Sequence, residues 1–187
     1  MKYIEYLNKF ILDKINLNMH SFNKYLESKD CEYKVSQLKI RNPDLDLSNI
    51  INDARCGNVY AICLLRKDVL KQNISENAFF EFTGFTKLPQ TGNNRIVFGD
   101  SKAADFKIND WFGTQKYIRQ YGGAQDNQIN DTITFAKEGL KLGKKIIICI
   151  DGESALHKVR SKIKESLNLV ICSTDRLMEY YHNGRFN

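Results

Sequence analysis

The chain has 187 residues, 42% of them hydrophobic, 11% aromatic and 27% charged, which excludes a wholly disordered protein and allows a core without disulfide or metal staples. Its 28 Lys and Arg against 22 Asp and Glu leave a net charge of +6 and a pI near 9.0, a mild excess that favours an anionic partner such as nucleic acid. No apolar run approaches the roughly 18 residues of a membrane helix, and residues 1–6 alternate charge and apolarity, so neither a membrane partner nor a signal peptide is expected.

Residues 3–17 carry Tyr3, Tyr6, Leu7, Phe10, Ile11 and Ile15 at three-and-four spacing, which predicts an amphipathic helix. A second helix is expected over 20–28. Pro43 ends whatever precedes it, and Asp44 to Ser48 can cap a helix starting near Asn49. The apolar run 59–65 fits a helix or a buried strand equally. Ser75 reads as the cap of a helix reaching Gly84. Three strands are then expected, over 95–98, 103–108 and 111–118, the last two joined by the polar turn Asn109-Asp110 as a tight hairpin. After Gly122-Gly123 a helix over 124–139 turns Ile129, Ile133, Phe135 and Ala136 inward. The β-branched run Ile146 to Ile150 reads as a strand buried on both faces. A basic helix over 154–167, a buried strand over 169–173, a helix over 174–181 capped by Thr174 or Asp175, and a loose tail over 183–187 complete the reading. The order implies one α/β domain over 1–187, with a mixed central sheet flanked by helices in 85–187 and a helical N-terminal region in 1–84.

The chemistry-bearing residues concentrate between Gly99 and Tyr117. Neighbouring strands lie about 5 Å apart, so a hairpin can bring Asp105 and Lys116 to one end of a site. A carboxylate can hold Mg²⁺ with its waters and a phosphate. A lysine beside it can orient or deprotonate the attacking water and offset charge on the phosphate. That pairing suits hydrolysis of a phosphodiester; the alternative is a hairpin with ordinary solvated charges.

Lys102-Ala103-Ala104-Asp105-Phe106 and Thr114-Gln115-Lys116 resemble the two half-motifs of the PD-(D/E)xK nuclease superfamily, and more narrowly of its type II restriction endonucleases. Gly122-Gly123-Ala124-Gln125-Asp126-Asn127-Gln128 and the ending from Leu169 to Leu177 are similar to the same enzymes, so the resemblance spans residues 95–181. It implies a restriction-endonuclease-like fold and a Mg²⁺-dependent, sequence-specific cut in double-stranded DNA. It also implies a homodimer, because two-fold symmetry matches a palindromic site. On this reading Asp105 holds the metal, Lys116 positions the nucleophile and Gln115 assists.

Two positions depart from the pattern: Ala104 stands where proline is usual, and Thr114 stands where Asp or Glu is usual. Three accounts of Thr114 stay open. Gln115 or the backbone completes the metal shell together with another acid (Glu81, Glu76 or Asp100); Asp105-Phe106-Lys107 is itself the DxK, with Asp100 or Glu81 upstream; or the protein is a weakened or inactive relative, a nucleic-acid-binding module or a subunit needing a partner chain. Lys102, Lys107, Arg119, Gln125, Asp126 and Asn127 are the expected DNA contacts, since helix N-termini bind anions and amides read adenine edges. Simple capping accounts equally well for Asp126 and Asn127. Asp151 reads more simply as part of a strand-to-helix turn than as a metal ligand.

His20, His157 and His182 fit no catalytic spacing, and no GxGxxG or P-loop occurs, which excludes the common dinucleotide and P-loop enzymes. Cys31, Cys56, Cys63, Cys149 and Cys172 form no CxxC and read as thiols in a reducing cytoplasm.

Overall fold

Tyr3, Leu7, Phe10, Ile11 and Ile15 line the buried side of α1 (Tyr3–Leu17), as their spacing predicts. The computed structural model describes residues 1–65, 74–118 and 124–187, and within it the chain divides into two units, Met1–Ile74 and Ser75–Asn187. The first unit is helical: α1 is followed by α2 (Met19–Leu26), α3 (Lys29–Arg41), α4 (Ile50–Arg55) and α5 (Val59–Leu65). The ambiguous run 59–65 is thus a helix. The Tyr25 hydroxyl donates to the Leu65 carbonyl at 2.7 Å and ties α2 to the end of α5. Helix α3 was not expected. Its buried side chains are Cys31 and Leu38, with Val35 half-buried between them, a short stripe among polar neighbours, and the Ser28 side chain caps it by accepting from the Cys31 amide.

In the second unit α6 (Ile74–Thr83) precedes β1 (Phe106–Ile108), β2 (Trp111–Tyr117), α7 (Ala124–Lys141), β3 (Lys145–Asp151), α8 (Glu153–Lys162), β4 (Leu169–Cys172) and α9 (Thr174–His182). From Ser75 onward α6 belongs to this unit, where Phe79 packs against Phe106 with ring centroids 5.3 Å apart. The four strands lie in the order β1-β2-β3-β4. β1 and β2 are antiparallel, whereas β2–β3 and β3–β4 are parallel. This is a mixed sheet in an α/β architecture, with the hairpin turning at Asn109, whose φ of 49° is left-handed.

The β-branched run of β3 is buried on both faces. Ile146, Ile148 and Ile150 join Ile129, Ile133, Phe135 and Ala136 of α7 and Val159 of α8 in one core layer. Gly113 lets the Phe106 ring lie against β2, since a Cβ there would meet Phe106 Cζ at 2.1 Å. Gly152, at φ 128°, lets the β3–α8 turn touch the Ile118 carbonyl, which a Cβ would meet at 1.9 Å.

Several expectations are corrected. The strand expected over 95–98 and the first half of the one expected over 103–108 reduce to a single bridge between Val97 and Ala103, because the turns at Gly92 and Gly99 leave too short a segment to pair. Helix α8 stops at Lys162 rather than 167. The cap of α9 is Ser173, whose Oγ accepts from the Arg176 amide. The C-terminal tail is docked rather than loose: Phe186 is 2% exposed, its ring lies 5.4 Å from that of Trp111, and its carbonyl accepts from Asn109 Nδ2 at 3.1 Å. Among the described residues no helix is long and apolar enough to cross a membrane, and all five cysteines are thiols.

Candidate active site

Asp105 enters β1 with its amide donating to the Gly113 carbonyl at 2.8 Å, which fixes it opposite the middle of β2. Three donors from consecutive residues of that strand converge on its Oδ2. The Thr114 hydroxyl donates at 2.9 Å, the Gln115 backbone N–H at 2.8 Å and the Lys116 ammonium at 3.2 Å. Asp105 is only 5% exposed, so this cage offsets a desolvation that an isolated carboxylate would not tolerate. The other oxygen, Oδ1, accepts no hydrogen bond from the described residues. It belongs to a side chain lining a cleft of about 50 Å³, with Gln90, Lys102, Thr114, Lys116 and Asp131 around it. Gln90 closes one wall by donating from Nε2 to the Ala104 carbonyl at 2.9 Å.

The hairpin therefore brings Asp105 and Lys116 together, as their spacing predicts. Gln115 is split between two roles. Successive side chains of a strand point to opposite faces, so its backbone N–H serves Asp105 while its side chain goes to the other face, beside Asp151. The expected catalytic assistance from its amide is corrected accordingly: it does not line the cleft. Gln115 is 4% exposed, and its Nε2 has no hydrogen-bond partner among the described residues.

That opposite face holds a second buried polar group. Asp151 accepts from the Thr174 amide at 2.9 Å and from the Thr174 hydroxyl at 2.6 Å, which caps α9 from the end of β3. Burial pushes the Asp151 carboxyl up to about 6, against the pull of the Thr174 bonds. Cys149 Sγ lies 3.3 Å from Thr174 Oγ1. Burial pushes the Cys149 thiol far up and the Cys172 thiol to about 12, so neither is a nucleophile.

Other expected site residues are dispersed. Glu81 and Asp100 are exposed and do not line the cleft around Asp105. Glu76 pairs with Lys87 at 2.9 Å. Lys107 is exposed and lies over the Phe112 ring at 5.2 Å, outside the cleft lining. Arg119 lies outside the described residues, as does the side chain of Gln125, which stands at the start of α7. Asn127 is exposed on α7. Asp126 is ion-paired with Lys158 of α8, and that hydrogen bond and charge hold its carboxyl below the usual range. Lys162 donates to Asn130 Oδ1 at 3.1 Å and Arg160 to the Ile171 carbonyl at 2.8 Å, so much of the basic α8 face is turned to internal contacts.

One acid of the cleft escaped the sequence reading. Asp131, on α7, shares the cleft with Asp105 and pairs with Lys102 at 2.5 Å. Nothing in its local sequence sets it apart from an ordinary solvated helix acid. Among the described residues, no three His, Cys, Asp or Glu side chains gather into a metal-holding group. Neither a family model, nor a curated protein, nor a solved structure matches this chain.

Proposed function

We propose that the protein is a Mg²⁺-dependent DNA endonuclease that hydrolyses phosphodiester bonds at specific sequences, a type II restriction enzyme of the PD-(D/E)xK kind. The observation that carries this reading is the pairing of buried Asp105 with Lys116 at 3.2 Å, with Asp105 Oδ1 left open on a side chain that lines the cleft. The element order is in keeping with it: a strand entered at the aspartate, a hairpin to the strand bearing the lysine, a helix, then parallel strands.

The donor set suits Mg²⁺, which binds hard oxygens through one or two carboxylates and leaves its other positions to water and phosphate. Held there, the ion supplies a Lewis acid for the phosphoryl oxygen and makes water a stronger acid. Asp105 would hold it, and the Oδ2 cage keeps that carboxylate in place. Lys116, held beside Asp105, donates to the attacking water and to a non-bridging phosphate oxygen, where negative charge develops. The bond from water oxygen to phosphorus forms as the bond to the leaving ester oxygen breaks; the attacking water gives its proton to solvent, and the leaving oxygen takes one from a second water. Double-stranded DNA is the partner, in line with the net charge of +6. A homodimer is part of the proposal, because cutting two strands takes two copies of one site.

One observation favours a second reading, a nucleic-acid-binding module without catalysis. Thr114, in place of an acid, spends its hydroxyl on Asp105 Oδ2. Digestion of a large mixed-sequence DNA with Mg²⁺, followed by sequencing of the fragment ends, separates the two. The endonuclease gives ends sharing one sequence. Intact DNA under these conditions overturns the endonuclease reading in favour of the binding module.

A further inference from the structure

We propose that Asp131 of α7 is the second carboxylate of the divalent-cation site, and that Lys102 is the internal cation it exchanges for the metal. The inference rests on the endonuclease reading above and deepens it.

The hairpin alone leaves the site short of an acid. Thr114 stands two residues before Lys116 and is a donor to Asp105 rather than an anionic ligand. Asp105 Oδ1 accepts no hydrogen bond among the described residues, although the residue is 5% exposed. That oxygen is not among the fully buried side-chain atoms left without a partner, so it meets the open space of the cleft, where a hard cation can reach it. Asp131 is the other acid lining the same cleft, and it comes from a different element, α7, which the core fixes over β3 through Ile129, Ile133, Phe135 and Ala136.

The two acids are not held alike. The side chain of Asp105 is 8% exposed and caged; that of Asp131 is 36% exposed, and its partner Lys102 is 71% exposed. An exposed ion pair of this kind is held weakly, so a divalent cation between the carboxylates outcompetes a single mobile ammonium. Mg²⁺ needs no third protein acid, in keeping with the lack of a larger acidic cluster among the described residues. The exchange turns Lys102 out of the cleft and leaves it available to a DNA phosphate, so metal loading and backbone contact are coupled through one lysine.

The test is Mn²⁺ binding to the full chain, followed by electron paramagnetic resonance of the free ion, with and without duplex DNA. Cleavage is measured in parallel, and folding of every variant is checked by circular dichroism. Asp131→Asn is expected to weaken Mn²⁺ binding at least tenfold, as does Asp105→Asn. Lys102→Gln is expected to tighten it severalfold in the absence of DNA, an effect that loss of a merely structural ion pair does not produce. If Asp131→Asn binds Mn²⁺ within twofold of wild type while Asp105→Asn does not bind, the inference falls and the role of Asp105 stands. If the wild-type chain neither binds Mn²⁺ nor cuts DNA, the endonuclease reading falls and takes the inference with it.

Discussion

Gln115 and Lys116 are neighbours in sequence yet serve opposite faces of β2: the Lys116 ammonium lies 3.2 Å from Asp105 Oδ2, while the Gln115 amide is buried beside Asp151. One strand thus carries a polar cleft on one face and a buried polar cluster on the other. The cleft is read as chemistry and the cluster as structure, and each gives a separate test.

Asp151 gives a pH dependence of known sign. Its folded-state value of about 6 lies above the ordinary Asp value of about 3.9. The folded chain therefore keeps a proton that the unfolded chain has lost, and this group's contribution to stability falls as pH rises from about 4 to about 6, then levels. Asp46 and Asp126, held low by Ser48 and Lys158, act with the opposite sign and lose their contributions as pH falls below about 4. Asp151→Asn removes the first effect alone. Urea unfolding at pH 4 and pH 7 is expected to show the variant gaining on wild type by on the order of 2 kcal/mol across that interval. A difference that stays constant with pH contradicts the assignment.

Gly113 is a packing position. A Cβ there would meet the Phe106 ring at 2.1 Å, and that ring is itself stacked on Phe85 at 5.6 Å between centroids. Gly113→Val is expected to destabilise by about 1–3 kcal/mol through overpacking, read from the midpoint of urea unfolding at unchanged slope.

The docked tail is testable through the only tryptophan in the chain. Phe186 packs on Trp111, so Phe186→Ala is expected to shift the fluorescence of Trp111 and to destabilise by about 3 kcal/mol. An unchanged emission spectrum contradicts the docking.

The pattern of residues carried the hairpin, the buried strand at Ile146 to Ile150, the inward face of α7 and the meeting of Asp105 with Lys116, because each depends on local periodicity or on a two-residue turn. It did not carry α3, whose inward side is a short stripe of Cys31, half-buried Val35 and Leu38, nor the loss of the strand at 95–98 and of the first half of the one at 103–108, where turn glycines override β propensity. Asp131 was invisible for a different reason. Only the α7 crossover between β2 and β3 sets its helix against the cleft, and no local signal encodes that juxtaposition. The direction of Gln115 was legible in principle from the period of two in β2, which puts it on the face opposite Thr114 and Lys116.

Lys116 carries the central claim. Its direct test is single-turnover cleavage of duplex DNA with Mg²⁺ by wild type and Lys116→Ala, alongside DNA binding by both. The account predicts near wild-type binding and cleavage slowed by about two to four powers of ten. Equal cleavage rates for the two proteins contradict it.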